Sequence, residues 1–501
     1  MFWQLVLIAV SFWIVYFRWQ RRRIRKIYKA ISPGELQELP VIGHAHLLTG
    51  THEDVMTLFQ KVGRIANNQG GLSSFWLANK LYVIVTDPET VDVVLKTCMD
   101  KDDNTMKYCR TITGNGSIFA AVPIWRPRRK ILAPTFSMKN LNQFVDIFAQ
   151  QSTVMTKQLR QVAEKGDLSI WKYVNTYTFD SVCESALGVK MNSQLNSEQR
   201  FLRAFEMLSQ MIARRICTPW MHPDVIYKNL PIYKTFEENR SVLFDFVDKL
   251  IQNKREELKN NNNELYNKSG MRTFLEMMIM GSGGERGYTD LELREEVLVI
   301  IIAGTDTSAV GASYASVLLS RFPDIQDKVY EELQAVFGNS DRPVTVQDLP
   351  NLKYLDAVMR ETLRMYPPVP VTVREVRSDV VLPSGVTLVE GVAILNNIWG
   401  IHRNPKYWGD DVDVFRPERF LEGPLKHPAQ FIPFSYSSRN CLGYNYAMMS
   451  MKTVLANLVR TYKILPPSDL DPCHMKEPIR VKFDIMMKPV EDYVLRLEPR
   501  I

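Results

Sequence analysis

The chain has 501 residues, 46% of them apolar and 23% charged, with 62 Lys and Arg against 55 Asp and Glu. These are globular proportions, and they exclude a disordered, collagen-like or disulfide-scaffold protein. The net charge of +7 is local, because Arg18, Arg21, Arg22, Arg23, Arg25, Lys26 and Lys29 stand among residues 1–29 without one acid. The remainder is formally neutral, which gives no support to a nucleic-acid surface.

From Phe2 to Phe17 the chain is apolar except for Gln4 and Ser11. Sixteen helical residues span about 24 Å, a little less than a bilayer core. Trp3 and Trp19 suit the two interfaces. A cleaved signal peptide needs charge before the apolar run and small residues after it. Here the charge follows, and Phe17-Arg-Trp-Gln20 offers no small residue. The pattern predicts a retained transmembrane anchor over residues 1–19, with the arginines and everything after them on the cytosolic side. Residues 20–43, with Pro33-Gly34 and Leu39-Pro-Val-Ile-Gly43, read as a basic, turn-rich linker. Residues 44–501 read as one large, mainly helical body. Six cysteines (98, 109, 183, 217, 441, 473) form no Cys-x-x-Cys pair, so neither structural zinc nor a disulfide framework is indicated.

Leu81–Thr86 reads as a strand, and 139–163, 198–215 and 236–260 as helices. Polar stretches at 260–263, 268–270 and 281–284 read as loops. Thr289-Asp-Leu-Glu292 is a capping box. It opens a segment whose middle, Val297 to Ala303, is apolar all round, as a helix through a core must be. Gly304-Thr-Asp-Thr-Ser308 then interrupts it. These residues read either as a close helix–helix contact or as a widened groove where water meets a hydroxyl and a carboxylate. Glu361 and Arg364 share a helix face ended by Pro367-Pro368, a spacing typical of an exposed ion pair. Further on come Phe415-Arg-Pro-Glu-Arg419-Phe420 and Phe434-Ser-Tyr-Ser437-Ser-Arg439-Asn-Cys441-Leu-Gly443. A lone cysteine is usually a small buried hydrophobe. Cys441 differs: it precedes a helix, lies two residues from Arg439 and sits among aromatics, a setting that favours a thiolate suited to haem iron.

In this order the segments resemble a microsomal cytochrome P-450, a haem-thiolate monooxygenase, over essentially the whole chain. The resemblance implies a mainly α fold with a small β region, the cytochrome P-450 fold, preceded by one N-terminal transmembrane helix. It implies haem b, with Cys441 as the thiolate ligand to the metal. The family's Phe-x-x-Gly-x-Arg-x-Cys-x-Gly pattern is matched at Phe434, Arg439, Cys441 and Gly443, with Ser437 in place of a glycine. Ala303, Gly304, Asp306, Thr307 and Ser308 look like the family's proton-delivery segment, which makes Asp306 and Thr307 the catalytic candidates. Glu361, Arg364 and Arg419 resemble a structural ion network. Trp125 and Arg129, with Arg374 and Arg439, resemble the groups that hold haem propionates.

The stretch Trp125 to Phe136 is most similar to the animal branch containing the fatty-acid ω-hydroxylases. Alanine at 303 stands where that branch often has an ester-forming glutamate, so haem is expected to be held non-covalently apart from the Cys441 ligand. The implied partners are O2, a small lipophilic substrate, membrane lipid, an NADPH-dependent flavoprotein reductase (NADPH-cytochrome P-450 reductase) and cytochrome b5. The implied place is the endoplasmic reticulum membrane, single-pass, with the body in the cytosol. Arg128, Lys130 and Lys452 are candidates for the reductase face. Segments 100–120 and 203–230 are candidates for the substrate route. Two rivals stay open: a haem-thiolate isomerase or lyase of hydroperoxides, and an inactive haem- or lipid-binding relative.

Overall fold

The computed structural model describes residues 21–32, 34–196, 199–260, 273–281 and 288–500, with isolated positions before residue 20. The expected anchor over 1–19 therefore lies outside the described residues, as do most of the expected polar loops.

Helix formation follows the local signals. The predicted helices appear as Met138–Leu159 (α5), Arg200–Cys217 (α7) and Pro231–Asn260 (α8), and the predicted strand as Lys80–Val85 (β2). Thr289 and Glu292 make both bonds of the capping box that opens α9, Asp290–Arg321. Among the described residues α9 is the one helix long and apolar enough to cross a membrane, but 72% of its apolar window is buried within the protein. It is the central core helix. Around it lie Arg22–Ala30 (α1), His52–Asn68 (α2), Asp103–Thr113 (α3), Val122–Leu132 (α4), Trp171–Leu187 (α6), Lys353–Met365 (α10) and Tyr444–Thr461 (α11).

A four-stranded sheet flanks this helical mass. Leu72–Leu77 (β1) pairs antiparallel with β2, and β2 runs parallel to Ala393–Asn397 (β4). Val371–Glu375 (β3) closes the sheet antiparallel to β4, with Arg374 opposite Ile394. A late hairpin, Val481–Asp484 (β5) and Met486–Pro489 (β6), packs between α2, α7 and α9.

The segment read as a linker is laid against this sheet. Ile27 and Ile31 are buried with Leu72, Trp76 and Ile394 in a second apolar core. Gly43 pairs with Leu77 at φ +61°, where a Cβ would stand 2.5 Å from the Trp76 Cβ, so a side chain has no room. The turn-rich composition of 33–43 thus serves docking on the sheet edge.

The Glu361–Arg364 pair, whose spacing alone suits an exposed helix face but which the family resemblance makes part of a structural network, is wholly interior. Glu361 and Arg364 each have 0% side-chain exposure, and they meet through two bonds of 2.6 and 2.8 Å. Arg364 also donates to the carbonyls of His402, Val412 and Val414. Arg419 donates to Glu361 Oε1 at 3.2 Å and to Asp411 at 2.8 Å. With one partner removed, the other is a desolvated charge. Arg364→Met is therefore expected to cost about 3–5 kcal/mol, read as loss of a cooperative thermal transition. Arg416→Gln, at the half-exposed rim, is expected to stay within about 1 kcal/mol of wild type.

Candidate active site

Cys441 stands at the end of an irregular loop that feeds α11. Its amide donates to the Phe434 carbonyl at 2.8 Å, and the Ser435 amide to Ile432 at 2.9 Å. Ser435 and Ser437 adopt φ of +61° and +66°, so the chain reverses sharply twice before reaching the thiol. The left-handed turn at Ser437 accounts for the preference for glycine there. Cys441 is exposed as a residue, while its thiol is surrounded closely enough by protein to be desolvated. Burial pushes the thiol up, and the Gly443 amide and Arg129 pull the other way. A metal cation replaces the proton in the ligated state.

Next to this loop lies an accumulation of positive charge. Arg129 donates to the carbonyl and side chain of Asn440, beside Cys441. Arg439 is buried, donates to the Met99 and Ala120 carbonyls, and stacks 4.6 Å over the Trp125 ring. Arg374 is 3% exposed, and among the described residues its side chain donates only to the neighbouring Val373 carbonyl, at 3.5 Å. Burial lowers both guanidinium groups to about 10. Lys101 joins them, pushed well below the lysine range by burial and then by Arg374 and Arg439. Among the described residues none of these four cations has a carboxylate within 4.0 Å. Buried charges are retained when paired. This cradle lacks its anion, and the two propionates of haem have the charge and the planar acceptor geometry that Arg recognises. The residues present fit the group.

The other wall comes from α9. Its middle is buried except at Ile300, Ile302, Ala303, Gly304 and Thr307, and all of these but Ile302 stand at spacings of three, four and seven from Ile300. Positions i, i+3, i+4 and i+7 form one helical face, so this is the cleft side of the helix. Thr307 Oγ1 donates to the Ala303 carbonyl at 2.7 Å. Gly304 answers the other reading of the segment as well, since a Cβ there would lie 2.8 Å from Val182 of α6. Close packing and an open face are both real, on adjacent edges of one helix. Asp306 does not reach Thr307. It is buried and paired with Lys488 at 3.3 Å.

A cysteine thiol facing a cleft, a propionate-shaped cation cradle and a hydroxyl-bearing helix face belong to one architecture. The family model described as Cytochrome P450 matches residues 33–496. The chain belongs to the cytochrome P450 family. It is 31% identical to cytochrome P450 4d2 of Drosophila melanogaster over 99% of this chain and 98% of that one. It is 30% identical to cytochrome P450 4c21 of Blattella germanica, over 99% of both chains. It is also 30% identical to human cytochrome P450 4V2, over 93% and 90%. These are the relatives expected from the Trp125–Phe136 stretch, and the chain is an oxygen-inserting enzyme of that family, a monooxygenase.

Within this cytochrome P450 the structure separates residues that the sequence left together. Arg374 faces the cradle, whereas Arg377 is 61% exposed and bonded to Glu375. Two of the three residues expected on the reductase face are misplaced. Arg128 is buried against Glu292, Glu295 and Glu296, holding α4 to α9. Lys452 is buried, donating to the Leu349 carbonyl and paired with Asp356. Lys130 remains exposed. Lys101 was missed because Asp100, Asp102 and Asp103 flank it and make it read as solvated charge. Asp102 is already occupied, by Lys80 at 2.5 Å and by the start of α3.

Lys101→Met is expected to weaken haem uptake by the apoprotein about tenfold, the size of one charge-assisted bond. The exposed Lys107→Met serves as a control, and equal titrations for both variants would remove Lys101 from the cradle. Ser437→Gly relieves a left-handed serine at some cost in chain entropy, so the apoprotein is expected to gain about 0.5–1 kcal/mol, read as a higher Tm.

Proposed function

We propose that the chain is a membrane-anchored haem-thiolate monooxygenase that inserts one atom of O2 into a small lipophilic substrate. Electrons come from NADPH through a flavoprotein reductase, with cytochrome b5 as a further donor, at the cytosolic face of the endoplasmic reticulum. The observation that carries this reading is Thr307 on the half-exposed, otherwise hydroxyl-free face of α9, with Asp306 beside it in the chain. Rearranging a hydroperoxide needs no delivered protons, whereas cleaving dioxygen reductively does.

Haem, when bound, supplies dioxygen activation and the oxidation of an unactivated C–H bond. Cys441 is the residue that ligates it, and Trp125, Arg129, Arg374, Arg439 and Lys101 hold its carboxylates. Thr307 gives its own proton to the Ala303 carbonyl, so its oxygen lone pairs face the cleft and accept from a water. That water is then oriented for proton donation, which is what a relay requires. Asp306 supplies charge behind this hydroxyl. Ala303 has no carboxyl group with which to form an ester, which supports non-covalent haem. The apolar cleft face, Ile300 and Ala303, suits a substrate that partitions into lipid. The relatives' family-4 designation makes fatty acids the first class to screen.

Cys441→Ala is expected to abolish the thiolate-type carbon monoxide spectrum of the reduced protein. Thr307→Ala is expected to retain that spectrum while losing at least half of the product formed per NADPH, with peroxide released instead. Efficient turnover of a hydroperoxide without reductase, unaffected by Thr307→Ala, would overturn the monooxygenase reading in favour of an isomerase.

A further inference from the structure

Asp306 is the one acid on the cleft segment of α9, yet its carboxylate is not on the cleft face. Neighbouring helix positions diverge by about a quarter turn or more, and Asp306 points away from Thr307 towards the late hairpin. There the Lys488 ammonium stands 3.3 Å from Asp306 Oδ1, with both side chains under a tenth exposed. Among the described residues Lys488 is the one cation within 4.0 Å of this carboxylate.

Lys488 is itself shared. Glu206 of α7 lies 3.8 Å away on its other side and is 42% exposed, and the Trp171 ring lies 4.3 Å beneath the ammonium. Burial pushes this lysine down, but Asp306 and then Glu206 raise it further, so the ammonium stays charged inside the protein. It is delivered there by a turn of one residue, since Asp484 pairs directly with Met486. Ile485 between them takes φ of +66°. A β-branched residue in that region is strained, and such strain persists where surrounding structure demands it. The hairpin thus brings one cation to the back of the proton-delivery segment, between that segment and a helix of the expected substrate route.

We propose that Lys488 is the positioning residue for Asp306, and that Glu206 sets how firmly it holds. The proposal rests on the reading that Asp306 serves proton delivery. Lys488 pairs with the Asp306 carboxylate and holds it off the Thr307 face. Any displacement of α7 shifts Lys488 between its two carboxylates, which ties the acid's placement to the helix that a substrate passes.

Two measurements test this. In the reconstituted holoenzyme, Lys488→Met is expected to lower product per NADPH at least threefold and to raise the solvent hydrogen isotope effect. Lys488→Arg, which keeps the charge, is expected to stay within twofold of wild type on both. In the apoprotein, a double-mutant cycle of Lys488→Met with Asp306→Asn is expected to show positive coupling in Tm. That coupling should grow in the Glu206→Gln background, where the ammonium is no longer shared. No coupling, or equal coupling in both backgrounds, would overturn the proposal. If Asp306→Asn itself leaves product yield and isotope effect unchanged, the proton role of Asp306 fails instead. If Lys488→Met does not fold, the Glu206→Gln holoenzyme decides: an isotope effect equal to wild type counts against the proposal, and an altered one supports it.

Discussion

Everything at the cysteine side depends on one buried carboxylate. Glu361 lies between Arg364 and Arg419 with no access to water. Asp411 balances the second cation, and the remaining guanidinium hydrogens go to backbone carbonyls of the 402–414 segment. The consequence reaches the thiol through His402. This ring is fully buried, and burial, then Arg364 and Arg403, hold it well below the usual histidine range. It is therefore neutral. Its Nε2 accepts from the Ile432 amide at 2.9 Å, so Nδ1 carries the proton and donates to the Arg364 carbonyl at 3.2 Å. Ile432 in turn receives the Ser435 amide, and Phe434 the Cys441 amide. A continuous chain of satisfied polar groups thus runs from α10 to Cys441. A shift of the salt bridge moves the cysteine loop with it.

The propionate side is built on the opposite principle. There the charges are left unsatisfied by the protein itself. Among the described residues Arg374, Arg439 and Lys101 crowd together with no carboxylate within 4.0 Å, Asp100 acting on Arg439 only from further off, and each suffers the low-dielectric penalty that burial imposes. Neighbouring acids are committed elsewhere: Asp102 to Lys80, and Glu375 to Lys80 and Arg377. A site that withholds its own carboxylates destabilises the empty protein and rewards an external dianion. Stability and cofactor affinity are then the same quantity seen from two sides. The contrast with Glu361 is informative, because both clusters are arginine-rich and only one is complete.

Much of this was legible in the residues. The capping box, the prolines after Met365, the helix over 236–260 and the cysteine loop are local signals, and local chemistry decided them. What failed was burial of charge. Arg128 and Lys452 look like surface cations in sequence, and the burial of Glu361 with Arg364 followed from the family resemblance and not from their spacing. Interior placement of such groups is set by distant residues, such as Glu296, 168 positions from Arg128, and the 402–414 carbonyls, 38 to 50 positions from Arg364. Lys101 was hidden by its acidic neighbours for the same reason. Ser437 was the reverse case. The pattern flagged it as a departure at a glycine position, and the backbone explains why, with a φ that glycine adopts freely and serine adopts at a cost.

Helix α9 shows why a short run of small and polar residues is needed in a core helix. Gly304 must admit Val182 of α6, and Gly311 must admit Met451 of α11. These two glycines, seven residues apart, lie on one face of the helix, and their contacts hold that face against α6 and α11 and fix its rotation. With the rotation fixed, Ile300, Ala303, Gly304 and Thr307 necessarily share the cleft face and Asp306 necessarily leaves it. A larger residue at 304 would push the helix off α6 and turn Thr307 away from the cleft. The glycine therefore does chemical service without chemistry of its own: it sets where the hydroxyl points. The same fixed rotation is what sends the acid to the far hairpin, so the separation of Asp306 from Thr307 follows from packing.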